Sequence, residues 1–461
     1  MTQSAKQSEK LSVLEKTGYG LGDMAANFIF QTMVMFQLAF YTDTFGIAAA
    51  AAGTLLVVVR VFDAAFDPVM GVIADRTNTR WGKFRPWVLW TAVPFGLMGF
   101  LTFVTPDLAP AGKLAYAYVT YILLMAVYSA NNLPYSALSG VMTGDLAERT
   151  SLSSYRFVCA MLAQLIIQGL ALPMVNYFGQ GDSAKGYQYT IGIFSAVAVV
   201  LFVITFATTR ERIRPAPDQA ASVGQHFADL GRNGPWVAMF ALTFILFITL
   251  AMRGSVVLYY FRYYVGNEGL FSVFNVLGTT ATIIAIFFSK SLAMRFGKRA
   301  VFMAGLWGTA ILTLAFLPLS PRAVGWMFTV EILRQFVYGF TIPLLWAMMA
   351  DVADYSEWRN RRRATAIVFS AIVFALKAGL GFGGAITGYV LAFYGYVPNV
   401  AQTPSALDGI RLTMSVFPAV GFALCAACLL FYGIDRAGEI RITTELEARR
   451  KLYPARELAS S

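Results

Sequence analysis

The chain has 461 residues, of which 57% are hydrophobic and 13% are charged, and its formal net charge is +11. A soluble protein carries roughly 25% charged residues, so this composition excludes an ordinary soluble enzyme and indicates a membrane protein. The net charge would suit a nucleic-acid-binding protein, but the basic residues fall in alternate loops between apolar runs, which excludes that class.

Apolar runs long enough to cross a hydrocarbon core of about 30 Å recur along the whole sequence. They predict an all-α membrane protein with twelve transmembrane helices in two six-helix halves. The predicted helices lie at approximately 17–42, 48–74, 87–105, 113–143, 155–176, 188–209, 235–264, 268–289, 299–317, 323–350, 365–395 and 408–433.

The second predicted helix contains two carboxylates, Asp63 and Asp67, at positions i and i+4. Side chains at this spacing lie on one face of a helix. A charge inside a bilayer is costly, so ionisable groups there face a cavity and mark the path of an ion or proton. The pair therefore predicts a site for a small cation. The alternative is a pair neutralised internally by Arg60, but one arginine does not neutralise two carboxylates.

Lys and Arg residues are concentrated in the loops that follow predicted helices two, six, eight and ten. Because positive residues are retained on the cytoplasmic side, both termini are predicted to be cytoplasmic, in a multi-pass protein of the cytoplasmic (inner) membrane. The predicted organisation is an N-terminal half (1–209), a central cytoplasmic loop (210–234), a C-terminal half (235–433) and a cytoplasmic tail (434–461).

The two halves repeat one pattern. Pro134 precedes Asp145 by the same interval as Pro343 precedes Asp354, and each pair lies at the fourth helix of its half. Two six-helix halves joined by a cytoplasmic loop are typical of transporters whose binding site lies between repeats.

Cysteine and histidine are too few for several kinds of site. Cys425 and Cys428 form a C-x-x-C pair without a second pair or a nearby histidine, so packed helix residues are expected rather than a zinc site. His226 lies in the central loop, which excludes a histidine proton relay. No Walker A sequence occurs, and we expect no cofactor, no enzymatic chemistry and no metal beyond a coupling cation.

The motif DAAFDPVMG (63–71), followed by DRTNTRWGKFRPW (75–87), resembles the signature of the glycoside–pentoside–hexuronide:cation symporters, a branch of the major facilitator superfamily. Collinear similarity continues in YGLGDMAANF, NNLPYSAL, WAMMADVADYSEW and KAGLGFGGAITGYVLAFYGYVPN, and so covers nearly the whole chain. The resemblance implies a major facilitator fold and symport of a glycoside with H+ or Na+ by alternating access.

The resemblance also implies the coupling site. Asp63 and Asp67 match the aspartates that bind the cation in that family, and Ser129 matches a helping hydroxyl on the fourth helix. Phe66 stands where the family's melibiose permease has an asparagine, so one oxygen ligand is missing. A proton needs a single carboxylate whose pKa is raised by burial and a like neighbour. The pattern therefore favours H+, while Na+ stays open.

The substrate positions that the resemblance implies are Asp23, Asn27, Asn132, Arg156, Trp346 and Lys377. Asn27 and Asn132 replace two aspartates of the melibiose permease; they can still hydrogen bond to hydroxyls, and they make an anionic uronide tolerable. Trp346 suits stacking on a pyranose, or is an ordinary packed tryptophan. Arg156 and Lys377 suit a substrate carboxylate, or pair with Asp23 or Asp63. We expect a pentoside, hexuronide or oligosaccharide.

Charged residues at the cytoplasmic helix ends are expected to latch one state of the transport cycle. Positive-inside topology alone would explain the arginines but not the aspartates at matching repeat positions. These gating candidates are Asp75, Arg76, Arg80, Lys83, Arg85, Asp145, Arg149, Asp351, Asp354 and Arg363.

Two other functions remain open at this point. One is a carrier of a non-sugar solute, such as a lysolipid or a drug-like compound, on the same scaffold; polar Asn27 and Asn132 argue against a purely apolar cargo. The other is a sensor that has lost transport, against which the intact aspartate pair argues. The expected partners are a small-molecule glycoside, a coupling cation and the lipid bilayer, with no nucleic acid and function as a monomer.

Overall fold

The computed structural model describes residues 10–143, 146–212, 233–360, 365–442 and 444–446. Within these ranges the chain is helical, apart from its loops and one isolated β-bridge between Thr79 and Gly82. Two gating candidates, Asp145 and Arg363, and the histidine at position 226 lie outside the described residues.

Fourteen α-helices are named here in chain order. They are α1 (Val13–Ala39), α2 (Ala49–Arg76), α3 (Arg85–Thr102), α4 (Pro110–Met142), α5 (Leu146–Gly179), α6 (Ser183–Thr208), α7 (Gly234–Tyr259), α8 (Leu270–Phe296), α9 (Lys298–Leu314), α10 (Val324–Gly339), α11 (Thr341–Asn360), α12 (Thr365–Phe393), α13 (Pro404–Met414) and α14 (Val416–Cys428).

Ten segments of the described chain are long and apolar enough to cross a membrane. They include every predicted span except the third and the ninth, whose places are taken by the shorter helices α3 and α9. An all-helical protein with many apolar helices is therefore confirmed. The number twelve stays a prediction.

Two predicted spans are each broken into two helices. The tenth is α10 followed by α11, and the break falls next to Pro343. The twelfth is α13 followed by α14, and the break at Ser415 precedes Pro418. Proline has no N–H to donate to the residue four positions earlier, and its ring clashes with that carbonyl, so a helix is interrupted in the turn before it.

The chain forms two compact units. The first contains residues Met1–Asp218, Gly269–Val273 and Leu391–Ala401; the second contains Gln219–Glu268, Phe274–Val390 and Gln402–Ser461. In the first unit α1 packs against α5 and α6, and α4 packs against α2 and α3. In the second, α14 packs against α7 and α9. These pairings determine which polar side chains meet.

Local sequence explains how α1 is positioned. Its start is a capping box, in which the Ser12 side chain accepts from the Glu15 N–H and the Glu15 side chain accepts from the Ser12 N–H. Further along, Gly20 faces the Tyr155 carbonyl so closely that an added Cβ would lie 2.9 Å from that oxygen. A side chain at this position would push α1 away from α5, and with it Asp23.

Candidate functional site

A buried carboxylate on α2 is held by α4. Asp63 is 1% exposed, and its Oδ1 accepts a 2.7 Å hydrogen bond from the hydroxyl of Ser129, which is fully buried. The Arg60 Nη1 atom lies 3.8 Å from the Asp63 Oδ2 atom. Asp67 follows one turn later on α2 and is half-buried. The structure thus brings together Asp63 and Ser129, which are far apart in sequence.

Aromatic side chains contact Arg60, the cation next to this carboxylate. Arg60 hydrogen bonds to Tyr121 and lies over the Phe30 ring, with 5.8 Å between its guanidinium carbon and the ring centroid. Phe30 in turn stacks on Tyr128 with 5.5 Å between centroids. Tyr128 is within Coulombic range of both Asp23 and Asp63. Tyr128 therefore lies near both buried aspartates of the first unit, and the sequence analysis did not predict it as a site residue.

Phe66, the residue that departs from the family pattern, is also aromatic and stacks on Phe62 of the same helix with 5.6 Å between centroids. It contributes no oxygen between Asp63 and Asp67.

A second charged pair joins α1 to α5. The Arg156 Nη2 atom lies 3.2 Å from the Asp23 Oδ1 atom, and Asp23 is 8% exposed. Arg156 also lies over the Tyr135 ring at 5.4 Å from its centroid, and Tyr135 stacks on Tyr19. Of the two roles that the sequence left open for Arg156, the structure has the pairing with Asp23. A substrate carboxylate would compete with that pair.

The two asparagines on α4, Asn131 and Asn132, differ in environment. Asn131 is 1% exposed and donates a 2.7 Å hydrogen bond to Thr91 of α3, so its role is packing. Asn132 is half-buried, and its amide makes no hydrogen bond to any described residue. On α1, Asn27 donates to the Asp23 carbonyl at 2.8 Å. Asn132 is therefore the asparagine that retains its capacity for a ligand.

The remaining substrate candidates belong to the second unit. Trp346 of α11 packs against the buried apolar cluster of that unit, and its indole N–H has no partner among the described residues. Lys377 of α12 is half-buried. Two and six residues later, Gly379 and Gly383 face the α7 carbonyls of Phe244 and Ile248, where an added methyl group would overlap. The glycines thus fix the helix that carries Lys377 tightly against α7.

An additional buried charged group lies in the second unit and was not predicted. Glu331 of α10 accepts from Arg334 at 2.7 Å and from Arg253 of α7 at 2.6 Å, and all three residues are at most 6% exposed. The E-x-x-R spacing inside an apolar span is the sequence signal that would have identified it. The shared carboxylate links α7 to α10 but offsets only one of the two guanidinium charges, so the three side chains together carry a net charge of +1.

The gating candidates of the first unit make local contacts near the end of α2, the start of α3 and the end of α4. Lys83 Nζ lies 2.9 Å from the Asp75 Oδ1 atom. Arg85 donates to the Phe206 carbonyl, and Arg149 donates to the carbonyls of Gly140 and Thr143 at the end of α4. Arg80 lies over its neighbour Trp81, and Arg76 is the last residue of α2.

Glu211 is the residue that organises this loop, and the sequence did not reveal it. Its carboxylate accepts hydrogen bonds of 2.7–2.8 Å from the backbone N–H groups of Lys83, Phe84 and Arg85, at the start of α3. The first N–H groups of a helix have no partner within it, and a carboxylate there also interacts favourably with the helix dipole. Glu211 thus supplies the cap that Phe84 lacks.

In the second unit, Lys298 is shared by two carboxylates. Its Nζ lies 2.7 Å from Asp351 of α11 and 2.7 Å from Glu439 of the tail. Burial lowers the pKa of Lys298, but the hydrogen bonds and charges of the two carboxylates outweigh it, so the pKa is raised. Asp354 lies on the same helix as Asp351. The tail residue Glu439 was not predicted.

The first unit has a further polar cluster, at the end of the π-helical turn that continues α1. Asp43 is 9% exposed and accepts from the Tyr396 hydroxyl, while its backbone carbonyl accepts from Asn399 at 2.6 Å. Both partners lie in the segment Leu391–Ala401, which follows α12 in the chain and belongs to the first unit.

The sequence has relatives among known proteins. The family described as MFS/sugar transport protein matches residues 18–436. A protein of Escherichia coli described as putative glycoside/cation symporter YagG is 38% identical over 442 residues, which are 96% of each chain. The isoprimeverose transporter of Lactiplantibacillus pentosus is 36% identical over 94% of this chain and 91% of that protein. The glucuronide carrier protein homolog of Escherichia coli is 33% identical over 96% and 98%.

Solved structures share the fold. A bacterial homolog of the human lysosomal transporter Spinster, inward-facing and occupied, aligns with a TM-score of 0.65 over 93% of this chain and 97% of that chain, at 13% identity. The nucleoside transporter NupG aligns with a TM-score of 0.59 over 92% and 100%, at 14% identity. At these identities the likeness is one of fold alone.

Proposed function

The chain belongs to the MFS/sugar transport protein family, and we propose that it is a secondary active symporter that carries a glycoside into the cell together with H+ or Na+. The observation that carries the coupling role is the buried Asp63, held by Ser129 at 2.7 Å, with Asp67 one turn away on the same helix. The relatives named as a glycoside/cation symporter and an isoprimeverose transporter support a sugar as cargo.

The proposed architecture is twelve transmembrane helices in the cytoplasmic membrane, with both termini in the cytoplasm and function as a monomer. The helices α3 and α9 complete the ten apolar segments to twelve. The distribution of Lys and Arg supports the orientation.

The coupling mechanism follows from charge. Asp63 is a carboxylate almost completely removed from water, with the Arg60 Nη1 atom 3.8 Å from its Oδ2 atom. Keeping a charged group out of water is costly. Binding of a cation lowers the negative charge of the aspartate pair, so we expect the occupied site to close to water more readily than the empty one. Ser129 fixes the rotamer of Asp63 and keeps it available.

We propose H+ as the coupling ion. A hard cation such as Na+ needs several oxygen ligands, whereas a proton needs one buried carboxylate. Phe66 stacks on Phe62 and supplies no oxygen, and Asp63 Oδ1 already accepts from Ser129. Uptake into proteoliposomes driven separately by a pH gradient and by a Na+ gradient tests this. Accumulation with a Na+ gradient alone would assign the site to Na+.

For the substrate we propose a neutral pentoside or oligosaccharide, or a uronide, bound through Asn27, Asn132 and Trp346. The amide of Asn132 and the indole of Trp346 have hydrogen-bonding capacity that no described residue uses. For a uronide, the carboxylate is assigned to Lys377, or to Arg156 in competition with Asp23, which lies 3.2 Å from the Arg156 Nη2 atom.

An uptake panel of glycosides, pentosides and uronides, with purified protein in proteoliposomes, tests the function. Counterflow of at least one sugar, and its acceleration by the coupling gradient, is expected. A panel in which no sugar is transported while an amphipathic or drug-like solute is would overturn the proposal.

A further inference from the structure

In the proposed orientation, the cytoplasmic end of the second unit has a cavity of about 560 Å³ whose lining includes none of the proposed cation-binding or substrate-binding residues. Its walls come from the last turns of α8, the start of α11 and the tail. It is lined by Ile286, Ser289, Lys290, Ala293, Met294, Gly297, Lys298, Pro343, Leu344, Ala347, Arg436, Glu439 and Ile440.

The charges on this cavity are unequal. Three basic side chains, Lys290, Lys298 and Arg436, face one carboxylate, Glu439. Lys298 is shared by Glu439 and by Asp351, each at 2.7 Å, so these three residues together carry a net charge of −1. Lys290 and Arg436 are exposed and have no ion-pair partner among the described residues. The five side chains therefore sum to a net charge of +1, and the two positive charges without an ion-pair partner are those of Lys290 and Arg436.

Most of the other side chains that line the cavity are apolar, and two of them are largely exposed on the protein surface. Met294 is 65% exposed and Ile440 is 60% exposed, and on the same helix as Met294 the neighbouring Phe287 is 78% exposed. Exposed apolar side chains of this size, contiguous with a cavity, mark a surface that is covered by another apolar body. On a helix that crosses a membrane, that body is an acyl chain.

One helical segment of the tail, residues 436–442, contributes both a basic and an apolar side chain to the cavity. Ile442 and Leu446 are 6% and 4% exposed and pack into the apolar cluster of the second unit. Arg436 and Ile440, which are four positions apart and so share a face, line the cavity instead. Packing of the tail thus completes the site.

We propose that this cavity binds one anionic phospholipid of the cytoplasmic leaflet, with its phosphate between Lys290 and Arg436 and an acyl chain along Met294 and Ile440. Basic pockets between transmembrane helices on the cytoplasmic side are suited to anionic headgroups. The inference rests on the proposed membrane orientation, which places this end of the second unit at the cytoplasmic leaflet, but not on the identity of the sugar or of the coupling ion.

The test is lipid binding to the purified full-length chain, measured by native mass spectrometry with added phosphatidylglycerol or phosphatidylcholine. We expect one phosphatidylglycerol to be retained in preference to phosphatidylcholine. The double variant Lys290→Gln, Arg436→Gln is expected to bind it about 30-fold more weakly, since each basic contact contributes about 5-fold. Ile440→Glu, a change at an exposed position that leaves both cations in place, is expected to weaken binding as well.

Arg295→Gln is the matched control, because Arg295 is an exposed cation in the last turn of the same helix that does not line the cavity. Equal losses for Arg295→Gln and the double variant, or equal retention of both lipids by the wild type, would overturn the proposal. Inorganic phosphate at the same concentration separates lipid from free anion: displacement of phosphatidylglycerol by phosphate alone would reassign the site to a soluble phosphate.

Discussion

In the first unit, the ion-pair partner of each buried arginine determines the net charge that the surrounding site presents to a ligand. Arg156 pairs with Asp23, so this arginine and this aspartate are neutral as a unit toward a sugar. The Arg60 guanidinium lies 3.8 Å from the Asp63 carboxylate on α2. We therefore expect the Asp63 and Asp67 carboxylates to bind a cation, whereas the Asp23–Arg156 pair presents almost no net charge to a substrate.

Asp63→Asn is expected to abolish uphill accumulation of substrate, because an amide cannot take up or release the coupling ion. Exchange of substrate across the membrane needs no net release of the coupling ion, so counterflow is expected to fall less than accumulation. Asp67→Asn is expected to act in the same way. The measurement is gradient-driven uptake and counterflow in proteoliposomes.

Asp107→Asn is the control for both, because Asp107 is an exposed loop carboxylate between α3 and α4. Its uptake should equal that of the wild type. If Asp63→Asn still concentrates substrate against a gradient, Asp63 is not the coupling residue.

Asn132→Asp tests the charge at the substrate site. The added carboxylate is expected to reduce the affinity for a uronide strongly and that for a neutral pentoside little. Two like unit charges about 4 Å apart repel by about 4 kcal/mol at an effective dielectric constant of 20. Binding constants for a glucuronide and a pentoside check this, with Asn131→Asp, at the neighbouring packing asparagine, for comparison. Equal losses for the two sugars would show that Asn132 does not face the substrate charge.

At the scale of elements, contacts between distant parts of the chain determine where helices begin and how closely they pack. The start of α3 depends on Glu211, which follows α6. The approach of α12 to α7 depends on glycines that face backbone carbonyls.

Glu211→Gln is expected to destabilise the protein by about 1 kcal/mol, because a charge-assisted cap is replaced by a neutral side chain that presents an N–H₂ group to other donors. The thermal unfolding temperature in detergent should fall, while the Asp107→Asn control should not change it. An unchanged melting temperature would mean that the three hydrogen bonds to the start of α3 contribute no net stability.

Gly383→Ala is expected to cost about 1–3 kcal/mol, because the added methyl group would overlap the Ile248 carbonyl and force α12 away from α7. Gly254→Ala on α7 is the matched control: an added Cβ there meets no atom within 4 Å, and alanine favours a helix over glycine. The melting temperature of Gly383→Ala in detergent is expected to be lower than that of Gly254→Ala. Equal stability of the two variants would contradict close packing at Gly383.

At the scale of the whole molecule, the two compact units and the ten apolar segments give the framework in which these sites lie. The membrane topology of the chain can be measured by labelling single cysteine residues from one side of the membrane. In a variant with Cys159, Cys425 and Cys428 replaced by alanine, Asp107→Cys is expected to react with a membrane-impermeant thiol reagent added to intact cells. Arg295→Cys is expected to react only after permeabilisation. The opposite pattern would invert the proposed orientation.

Much of the fold follows from the sequence. A helix that crosses the hydrocarbon core needs a minimum length, and a charge inside the core is costly, so spans appear in the sequence as long apolar runs with few charged residues. The spans, the apolar character and the α2 aspartate pair were predicted on these grounds. The breaks at Pro343 and Ser415 were not, although the prolines were visible, because a transmembrane helix often continues through proline when its neighbours compensate.

Which of two similar residues is engaged in packing was decided by tertiary structure alone. Asn131 and Asn132 are adjacent and chemically identical, and only the position of α3 directs the first to Thr91 and leaves the second without a partner among the described residues. Likewise Arg156 had several possible partners in the sequence, and the approach of α1 to α5 selected Asp23. Sequence periodicity reports the face of a helix, whereas a hydrogen bond depends on which other helix that face meets.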